Sequence, residues 1–385
     1  MTEPPSPRRR AVIAARLVWA VDAFFPHPLD ALLGEVLAAP DRRRFSFACQ
    51  RFLASFGNGH TAFHDAALEA LAGRPLALDA RPFGGVWRVT RSETPGLRPG
   101  DAIARLDGLD PEAFFEALRP LVSASRPEAA RAAAFQSPVL FPERLAVETS
   151  DGRLAAVARG APRPRASFAP RAETEAGVCV LRVPSFEPAF HGAVRRALDA
   201  AGRVERLLID LRGNGGGSTP LALLRRLIPG RFPLWCETAT LHHGTERSRR
   251  IAMLRAGTAG VAPRATACHP APILDGDADA FAGPLAVLHD ARTASAAEDA
   301  LIPLKATGRV LLLGETSAGT SGEPYREDLG DGLWFRVAAK GMLLLDGTPF
   351  EGVGVAPDAA LDLAPGPEGA DRALERARAM LLDLR

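Results

Sequence analysis

The stretch LLIDLRGNGGGS, residues 207–218, joins a short apolar run to four glycines around one asparagine. An apolar run of this length predicts a buried strand that ends near Asp210 and Arg212. Glycine lets backbone N–H groups point at a ligand with no side chain in the way. A phosphate cradle is disfavoured, because the segment lacks the lysine of GxxxxGKS/T and the spacing of GxGxxG. A flexible turn and one half of an oxyanion hole both remain open.

Strands and helices alternate on both sides of this stretch, from about residue 170 onwards. Strands are predicted at GVCVLRV, PLAVLHD and RVLLLGE, and helices at AFHGAVRRALDAAG, STPLALLRRLI and SAAEDALIPLKATG. LWFRVAAKGMLLLDG has the pattern of antiparallel strands. The alternation predicts an α/β core with a largely parallel sheet. Sites in such sheets collect beyond the carboxyl ends of the strands.

The chain divides into three predicted regions. Residues 1–74 have helical spacing, including LDALLGEVLAA and FHDAALEALAG. Residues 75–165 contain the strand GGVWRVT, the helix PEAFFEALRPLV and the hairpin RLAVETSDGRLAAVAR with Asp-Gly at its turn. The segment GAPRPRASFAPR is a linker by composition, and residues 166–385 form the α/β core.

The composition is that of a soluble globular protein, with 47% apolar and 24% charged residues in 385. The net charge of +2 gives no nucleic-acid footprint, so no nucleic-acid partner is expected. No run approaches the ~20 apolar residues of a transmembrane span. Three arginines precede an apolar run at the N-terminus, but Arg16 and Asp22 interrupt it, which favours an amphipathic helix over a signal peptide. Cytoplasm is the default expectation, and export stays open.

No metal site or cofactor is expected. Cys268-His269 and His242-His243 lack metal-ligand spacing. The cysteines stand far apart without a CxxC pair, which favours free or buried thiols over a disulfide framework: Cys49, Cys179, Cys236 and Cys268.

RTASAAEDAL, residues 292–301, places Ser295 before a helical pattern. Ser-x-x-Glu, here Ser295 and Glu298, is the signature of a helix capping box. A serine at a helix N-terminus also lies in a positive field that favours a developing oxyanion. Ser295 can therefore be an N-cap, a nucleophile or both.

Four motifs together resemble one family. LLIDLRGNGGG, PLAVLHDARTASAAEDAL, GRVLLLGETSAGTSGEP and DGTPFEGVGVAPD occur in the order and spacing of the C-terminal-processing (tail-specific) serine proteases, relatives of tricorn protease and interphotoreceptor retinoid-binding protein. PGLRPGDAIARLDG resembles their PDZ-type module, and RLVWAVDAFFPHP and FGNGHTAF resemble the N-terminal region of one branch. The resemblance covers most of the chain. It implies a core related to the Clp protease and crotonase superhelix.

The resemblance implies that Ser295 is the nucleophile and that the N–H groups of Ala296 and Gly216 form the oxyanion hole. The family's best-known branch has a catalytic lysine 25 residues after the serine, where this chain has Thr320. Lys305 lies ten residues along the predicted helix, roughly 15 Å away. Lys340 lies in a strand pattern. A Ser/Lys dyad is therefore not expected.

The tricorn-like branch uses a histidine base, and FGNGHTAF supplies His60. An imidazole is a suitable base at neutral pH. That branch also uses a glutamate after the nucleophile, for which Glu351 in FEGVGVAPD is the candidate that would orient or polarise His60. A structural histidine is the main alternative. Metal binding by His60 and His64 on one helix face is disfavoured, because Thr61 stands where metalloproteases have glutamate.

PFGGVWRV could take a peptide terminus by β-augmentation, with Gly85 and Val86 as the candidate contacts and Val86 and Trp87 lining a groove. A scaffold module without a ligand is the alternative.

The sequence thus predicts a serine peptidase that cleaves a peptide or protein substrate through an acyl-enzyme on Ser295. One rival is an inactive relative that binds a peptide or an apolar ligand. A second is a serine acyl hydrolase or transferase that acts on a small molecule. A homo-oligomer is left open.

Overall fold

The computed structural model describes residues 5–24, 30–161, 168–201, 204–240 and 266–384. His242, His243 and half of the predicted linker, residues 162–167, lie outside these residues. Cys49, Cys179 and Cys236 are free thiols. No helix in the described ranges has the length and apolar character needed to span a bilayer.

The N-terminal region is helical with one exception. Its elements are α1 (Pro7–Phe24), α2 (Asp30–Ala38), α3 (Arg42–Ala54), β1 (Ala62–Asp65) and α4 (Ala66–Ala72). The helix predicted for FHDAALEALAG was wrong over its first residues, because β1 pairs with a later strand and α4 begins only after it. Asp65 ends the strand and caps α4 by accepting from the N–H groups of Ala67 and Leu68. His60 and His64 therefore do not share a helix face.

The second region is a small β-rich module with its own buried cluster. It comprises β2 (Leu78–Phe83), β3 (Val86–Ser92), β4 (Ile103–Leu106), α5 (Pro111–Leu118), α6 (Pro127–Ala133), β5 (Arg144–Thr149) and β6 (Leu154–Ala158). The hairpin with Asp-Gly at its turn is confirmed as β5–β6. Gly84 and Gly85 form the two-residue turn of the β2–β3 hairpin at φ 55° and 82°, a conformation that favours glycine.

The third region is the predicted α/β core. Along the chain it contains β7 (Arg171–Glu175), β8 (Val178–Arg182), α7 (Pro188–Ala201), β9 (Arg206–Asp210), α8 (Leu221–Leu227), β10 (Arg231–Pro233), β11 (Cys236–Thr240), β12 (Thr266–His269), β13 (Ile273–Asp275), β14 (Leu285–His289), α9 (Ala296–Ala306), β15 (Leu311–Gly314), β16 (Pro324–Gly330), β17 (Leu333–Ala338), β18 (Lys340–Leu343), β19 (Ala359–Ala360) and α10 (Arg372–Asp383).

The main sheet of this core has the strand order β19-β15-β14-β9-β8-β7. All its pairings are parallel except β7 with β8, which confirms the prediction of a largely parallel sheet. Leu207, Ile209 and Val287 belong to a cluster with residues of α7, α8 and α9. Leu208 and Leu288 belong to a second cluster with α10. Helices cover both faces of this sheet. This explains why the sequences of its strands are apolar at consecutive positions, since parallel sheets are buried on both sides.

A second sheet joins the N-terminal region to the core. β17 pairs with β1 on one side and β16 on the other, always antiparallel. On one face Phe63, Phe335 and Val337 pack with Leu17 and Phe45 of the N-terminal helices. This pairing brings the loop before β1, which carries His60, to the core.

Candidate active site

The loops that follow β9 and β14 meet at the carboxyl end of the main sheet. Asp290 Oδ1 accepts from the N–H of Gly213 at 2.9 Å. The N–H of Ala294 donates to the carbonyl oxygen of Asn214 at 3.0 Å. These bonds fix the glycine-rich loop against the segment that leads to Ser295.

Ser295 is the N-cap of α9 and has φ 56° and ψ −128°. A positive φ is uncommon for a residue other than glycine, and such strain clusters at functional sites. The N–H of Ser295 donates to the carbonyl oxygen of Thr320 at 2.7 Å and to Glu298 Oε2 at 3.1 Å. The predicted capping box is present, so Ser295 is an N-cap in a strained conformation.

Glu298 ties the start of α9 to the loop after β15. Its fully buried carboxyl group also accepts from Ser317 Oγ at 2.5 Å, from the N–H of Gly319 at 2.7 Å and from the N–H of Thr320 at 2.9 Å. Burial raises the pKa of Glu298 to about 8, against these hydrogen bonds, which favour the charged form. Glu298 thereby positions Ser295 through the hydrogen bond from the Ser295 N–H.

Gly216 lies directly against Ser295. A Cβ atom at Gly216 would be 2.7 Å from Ser295 Cβ and 2.9 Å from the nitrogen of Ala296. The two predicted oxyanion-hole residues therefore flank Ser295. The N–H of Gly216, however, donates to Asn214 Oδ1 at 2.9 Å in this structure.

His60 lies in the turn between α3 and β1 and is 8% exposed. Its N–H donates to Asn58 Oδ1 at 2.8 Å, and its ring contacts the backbone of Ser321. Burial, and secondarily the charge of Arg336, lowers the pKa of the imidazole to about 4. The ring atom Nδ1 is buried without a hydrogen-bond partner.

Gly59, the neighbour of His60, lies against Thr320, whose backbone holds Ser295. A Cβ atom at Gly59 would lie 2.7 Å from Thr320 Oγ1, and Thr320 accepts from the N–H of Ser295. Within the described residues, the His60 ring has no hydrogen bond to Ser295 or to Glu351. The three predicted catalytic residues are thus linked through Asn58, Ser125 and Thr320 without forming a closed triad.

Glu351 is held between the N-terminal region and the second module. It accepts from Asn58 Nδ2 at 2.7 Å and from the hydroxyl of Ser125. Ser125 Oγ lies 2.5 Å from Thr320 Oγ1. Burial raises the pKa of Glu351 to about 7. Sequence analysis missed Ser125 altogether, and Asn58 stood unremarked inside the motif FGNGHTAF.

Both lysines of the chain are paired with carboxylates. Lys305 Nζ lies 3.3 Å from Asp358. Lys340 Nζ lies 3.5 Å from Glu237 and 3.4 Å from Glu323. Within the described residues, neither has a hydrogen bond to Ser295.

A cavity of about 480 Å³ opens beside these residues. His60, Gly215, Ala294 and Thr320 lie in its wall, and Arg336 also lines it. Among the described residues no group of three or more His, Cys, Asp or Glu side chains could hold a metal ion.

Gly85 and Val86 lie away from this cavity, at the tip of the β2–β3 hairpin, with Val86 40% exposed. The expectation that Trp87 lines a groove was wrong, because its side chain is buried against Phe115 and Phe135.

A protein-family model matches the part of the chain that contains Ser295. Residues 177–361 match the model of peptidase family S41. This matched part, just under half of the chain, resembles a peptidase S41 domain. The match includes Gly216, Ser295, Ala296 and Glu351, and it excludes His60. The match supports a serine peptidase.

Solved structures of such proteases share the fold. Mature CPAF complexed with lactacystin is 13% identical, with 97% of each chain covered and a TM-score of 0.70. The photosystem II D1 C-terminal processing protease is 20% identical, with 94% of this chain and 96% of that chain covered and a TM-score of 0.55. Tricorn protease is 14% identical, with 98% of this chain and 37% of that chain covered and a TM-score of 0.48. Among curated protein sequences none matches. The likenesses to mature CPAF and to the D1 C-terminal processing protease confirm the mixed α/β fold.

Proposed function

We propose that the chain is a serine peptidase in which Ser295 is the nucleophile and His60 the general base. The observation that carries the proposal is the strained N-cap conformation of Ser295, packed against Gly216 and next to the cavity that His60 lines. Strain of this kind is retained where it aims a reactive side chain. A metal ion is not needed for this chemistry.

The reaction follows from these positions. The Ser295 hydroxyl oxygen attacks the carbonyl carbon of the scissile peptide bond while His60 accepts the hydroxyl proton. The carbonyl oxygen becomes an oxyanion that the N–H groups of Ala296 and Gly216 stabilise. The C–N bond then breaks, and the leaving amine takes the proton from His60. Water then attacks the acyl-enzyme carbonyl carbon while His60 accepts a proton from the water. The ester bond to Ser295 breaks, and the Ser295 oxygen takes the proton back from His60.

Two adjustments accompany substrate binding in this proposal. The N–H of Gly216 turns from Asn214 Oδ1 towards the oxyanion, which glycines at φ 103° and 140° in positions 216 and 217 permit. The His60 ring moves into hydrogen-bond distance of Ser295, since catalytic hydrogen bonds are often long before substrate binds. Glu351 supports the imidazolium through the network of Asn58 and the Ser321 backbone.

The finer family assignments belong to the same proposal. We infer a non-Ser/Lys enzyme, because Thr320 stands at the lysine position and both lysines have carboxylate partners. Cleavage near peptide C-termini, a PDZ character of residues 75–165 and a Clp protease/crotonase type of core follow from the motif resemblance.

A fluorophosphonate probe tests the proposal. The purified chain should form one adduct, mapped by mass spectrometry to Ser295, and Ser295→Ala should lose both adduct and peptide hydrolysis while keeping its circular dichroism spectrum. His60→Ala should slow labelling by about 10²-fold or more. Peptide hydrolysis retained by Ser295→Ala contradicts the nucleophile. Labelling that survives His60→Ala contradicts the base.

A further inference from the structure

Arg336 lies in the wall of the candidate active site and has no carboxylate partner in the described part of the chain. Its guanidinium lines the same cavity as His60, and Nη2 donates to the carbonyl oxygen of Gly59 at 3.3 Å. Nε is buried and makes no hydrogen bond. Within the described residues Arg336 has no ion pair, in contrast to Arg292 in the same cavity, which pairs with Asp79.

The two carboxylates among the lining residues of this cavity are already engaged. Asp65 accepts from Arg42 at 2.8 Å, and Glu69 lies 3.0 Å from His64 Nδ1. Removing a guanidinium from water without a counter-charge costs free energy. An arginine in that state, in the wall of the cavity that His60 and Ala294 also line, is therefore placed for an anion that arrives with the substrate.

The sheet β1–β17–β16 extends this positive surface away from the nucleophile. Arg336 lies opposite Arg326 on β16, and Trp334 lies opposite His64 on β1. The Arg326 guanidinium carbon lies 4.0 Å from the Trp334 ring centre, and His64 stacks on Trp334 with centroids 3.7 Å apart. Arg326 also has no ion pair among the described residues.

We propose that Arg336 binds a carboxylate of the peptide substrate, so that the site selects acidic peptides. The planar guanidinium fork matches a carboxylate with two parallel hydrogen bonds. Arg326 and Trp334 continue the contact along the chain of the substrate. This inference rests on the proposed peptidase function, which it deepens by naming a substrate class.

Peptides blocked at both ends test it. One position at a time is fixed as Glu in one series and as Gln in the matched series, and kcat/KM is measured for each pair. We expect one position at which Glu exceeds Gln by about 10- to 100-fold, the range of a charge-assisted hydrogen bond. Arg336→Gln should bring this ratio close to 1, and Arg336→Lys should retain part of it.

The ratio separates recognition from a structural role. If Arg336 only held the Gly59 carbonyl, Arg336→Gln would lower kcat/KM for both series equally and leave the ratio unchanged, which would overturn the proposal. Arg144→Gln, at an exposed arginine on β5, is the control and should keep the wild-type ratio. A third series with a free C-terminus shows whether the carboxylate comes from a side chain or from the peptide terminus.

A binding measurement keeps the inference distinct from the proposed function. In Ser295→Ala, fluorescence anisotropy of the labelled Glu and Gln peptides should show tighter binding of Glu, lost in Ser295→Ala/Arg336→Gln. If no peptide is hydrolysed but this difference is found, peptidase activity fails and acidic recognition stands. Equal binding of both series refutes acidic recognition, whatever the turnover.

Discussion

Thr320 illustrates how one residue changes the chemistry open to a site. Its hydroxyl lies 2.5 Å from Ser125 Oγ, and Ser125 donates to Glu351. A hydroxyl cannot hold a proton from serine at neutral pH, so the proposed mechanism needs a general base other than Thr320. His60 lines the same cavity as Thr320, and its ring atom Nδ1 has no hydrogen-bond partner in the structure's described part.

The pH profile of kcat/KM distinguishes the roles of His60 and Glu351. Burial lowers the pKa of His60 to about 4, so the ring stays neutral and able to accept a proton down to that pH. Burial raises the pKa of Glu351 to about 7, so its carboxyl group is protonated below that pH. If the ionised Glu351 stabilises the imidazolium, the rate should fall on acidification near pH 7.

Glu351→Gln should then lower kcat/KM at pH 8 by about 10²-fold and move the acidic limb towards pH 4. Stopped assays from pH 3.5 to 9 measure both quantities. Glu375→Gln, at an exposed carboxyl group on α10, is the matched control. An unchanged limb near pH 7 in Glu351→Gln would remove Glu351 from the mechanism.

His289 should make the fold sensitive to acid. The side chain is 0% exposed, and burial lowers its pKa from 6.5 to about 4. The unfolded chain therefore binds a proton between these pH values that the folded chain refuses, so stability is lost as pH falls. The loss approaches about 3 kcal/mol at pH 4.

Urea denaturation of wild type and His289→Leu at pH 7.5, 5.5 and 4.5 measures this contribution. The difference in unfolding free energy between the two proteins should shift in favour of the variant as the pH falls. Parallel pH dependences in the two proteins would exclude His289 as the cause.

Among the elements, those with a strong local pattern were predictable. The parallel strands, α9 and the β5–β6 hairpin follow from apolar runs and an Asp-Gly turn. β1 was missed because AFHD has no strand signal of its own and becomes a strand only by pairing with β17. Ser-x-x-Glu indicated the cap, but not that Glu298 also binds residues 317–320, since that contact requires the tertiary structure.

The glycine-rich loop after β9 permits its close approach to α9 at one position. Gly216→Ala would place a Cβ atom 2.7 Å from Ser295 Cβ at a φ of 103°, so either Ser295 or the loop must shift. We expect fluorophosphonate labelling to slow by about 10²-fold or more, by loss of one oxyanion donor, while the circular dichroism spectrum is kept.

Gly215→Ala is the matched control, because a Cβ atom there meets nothing within 4 Å. Its labelling rate should fall far less. A labelling rate of Gly216→Ala equal to that of the wild type would show that the contact between this loop and Ser295 is dispensable.

At the scale of the whole molecule, the candidate site is assembled from all three regions. Gly59, next to His60, comes from the N-terminal region, Ser125 from the second module and Ser295 from the core, and all three lie against Thr320. The sequence motifs identify His60, Ser295 and Thr320 as individual residues, but not Ser125. Their meeting depends on long-range pairing and buried ion pairs, which local sequence patterns do not encode.

The ion pair of Arg292 with Asp79 is the clearest of these links. Arg292 precedes Ser295 by three residues, and its guanidinium donates to both carboxylate oxygens of Asp79 on β2 at 2.7 and 2.8 Å. The two side chains are only 12% and 9% exposed. Arg292 Nε also donates to the carbonyl oxygen of Ala132 in the same module. The second module therefore fixes the segment that carries Ser295, the proposed nucleophile.

Asp79→Asn should lower the free energy of unfolding by about 3 kcal/mol, because it leaves a buried guanidinium without its counter-charge. Asp275→Asn is the matched control, since the Arg231–Asp275 pair is 74% and 78% exposed and should contribute at most about 1 kcal/mol. Labelling of Ser295 should slow in Asp79→Asn at a temperature where the variant is still folded. Because the pair crosses the boundary between module and core, both should unfold in one transition in the wild type. Alternatively, the protein could unfold in two separate transitions, with Asp79→Asn lowering the midpoint of only the transition assigned to the module. That result would show that the core holds Ser295 in place without the Arg292–Asp79 ion pair.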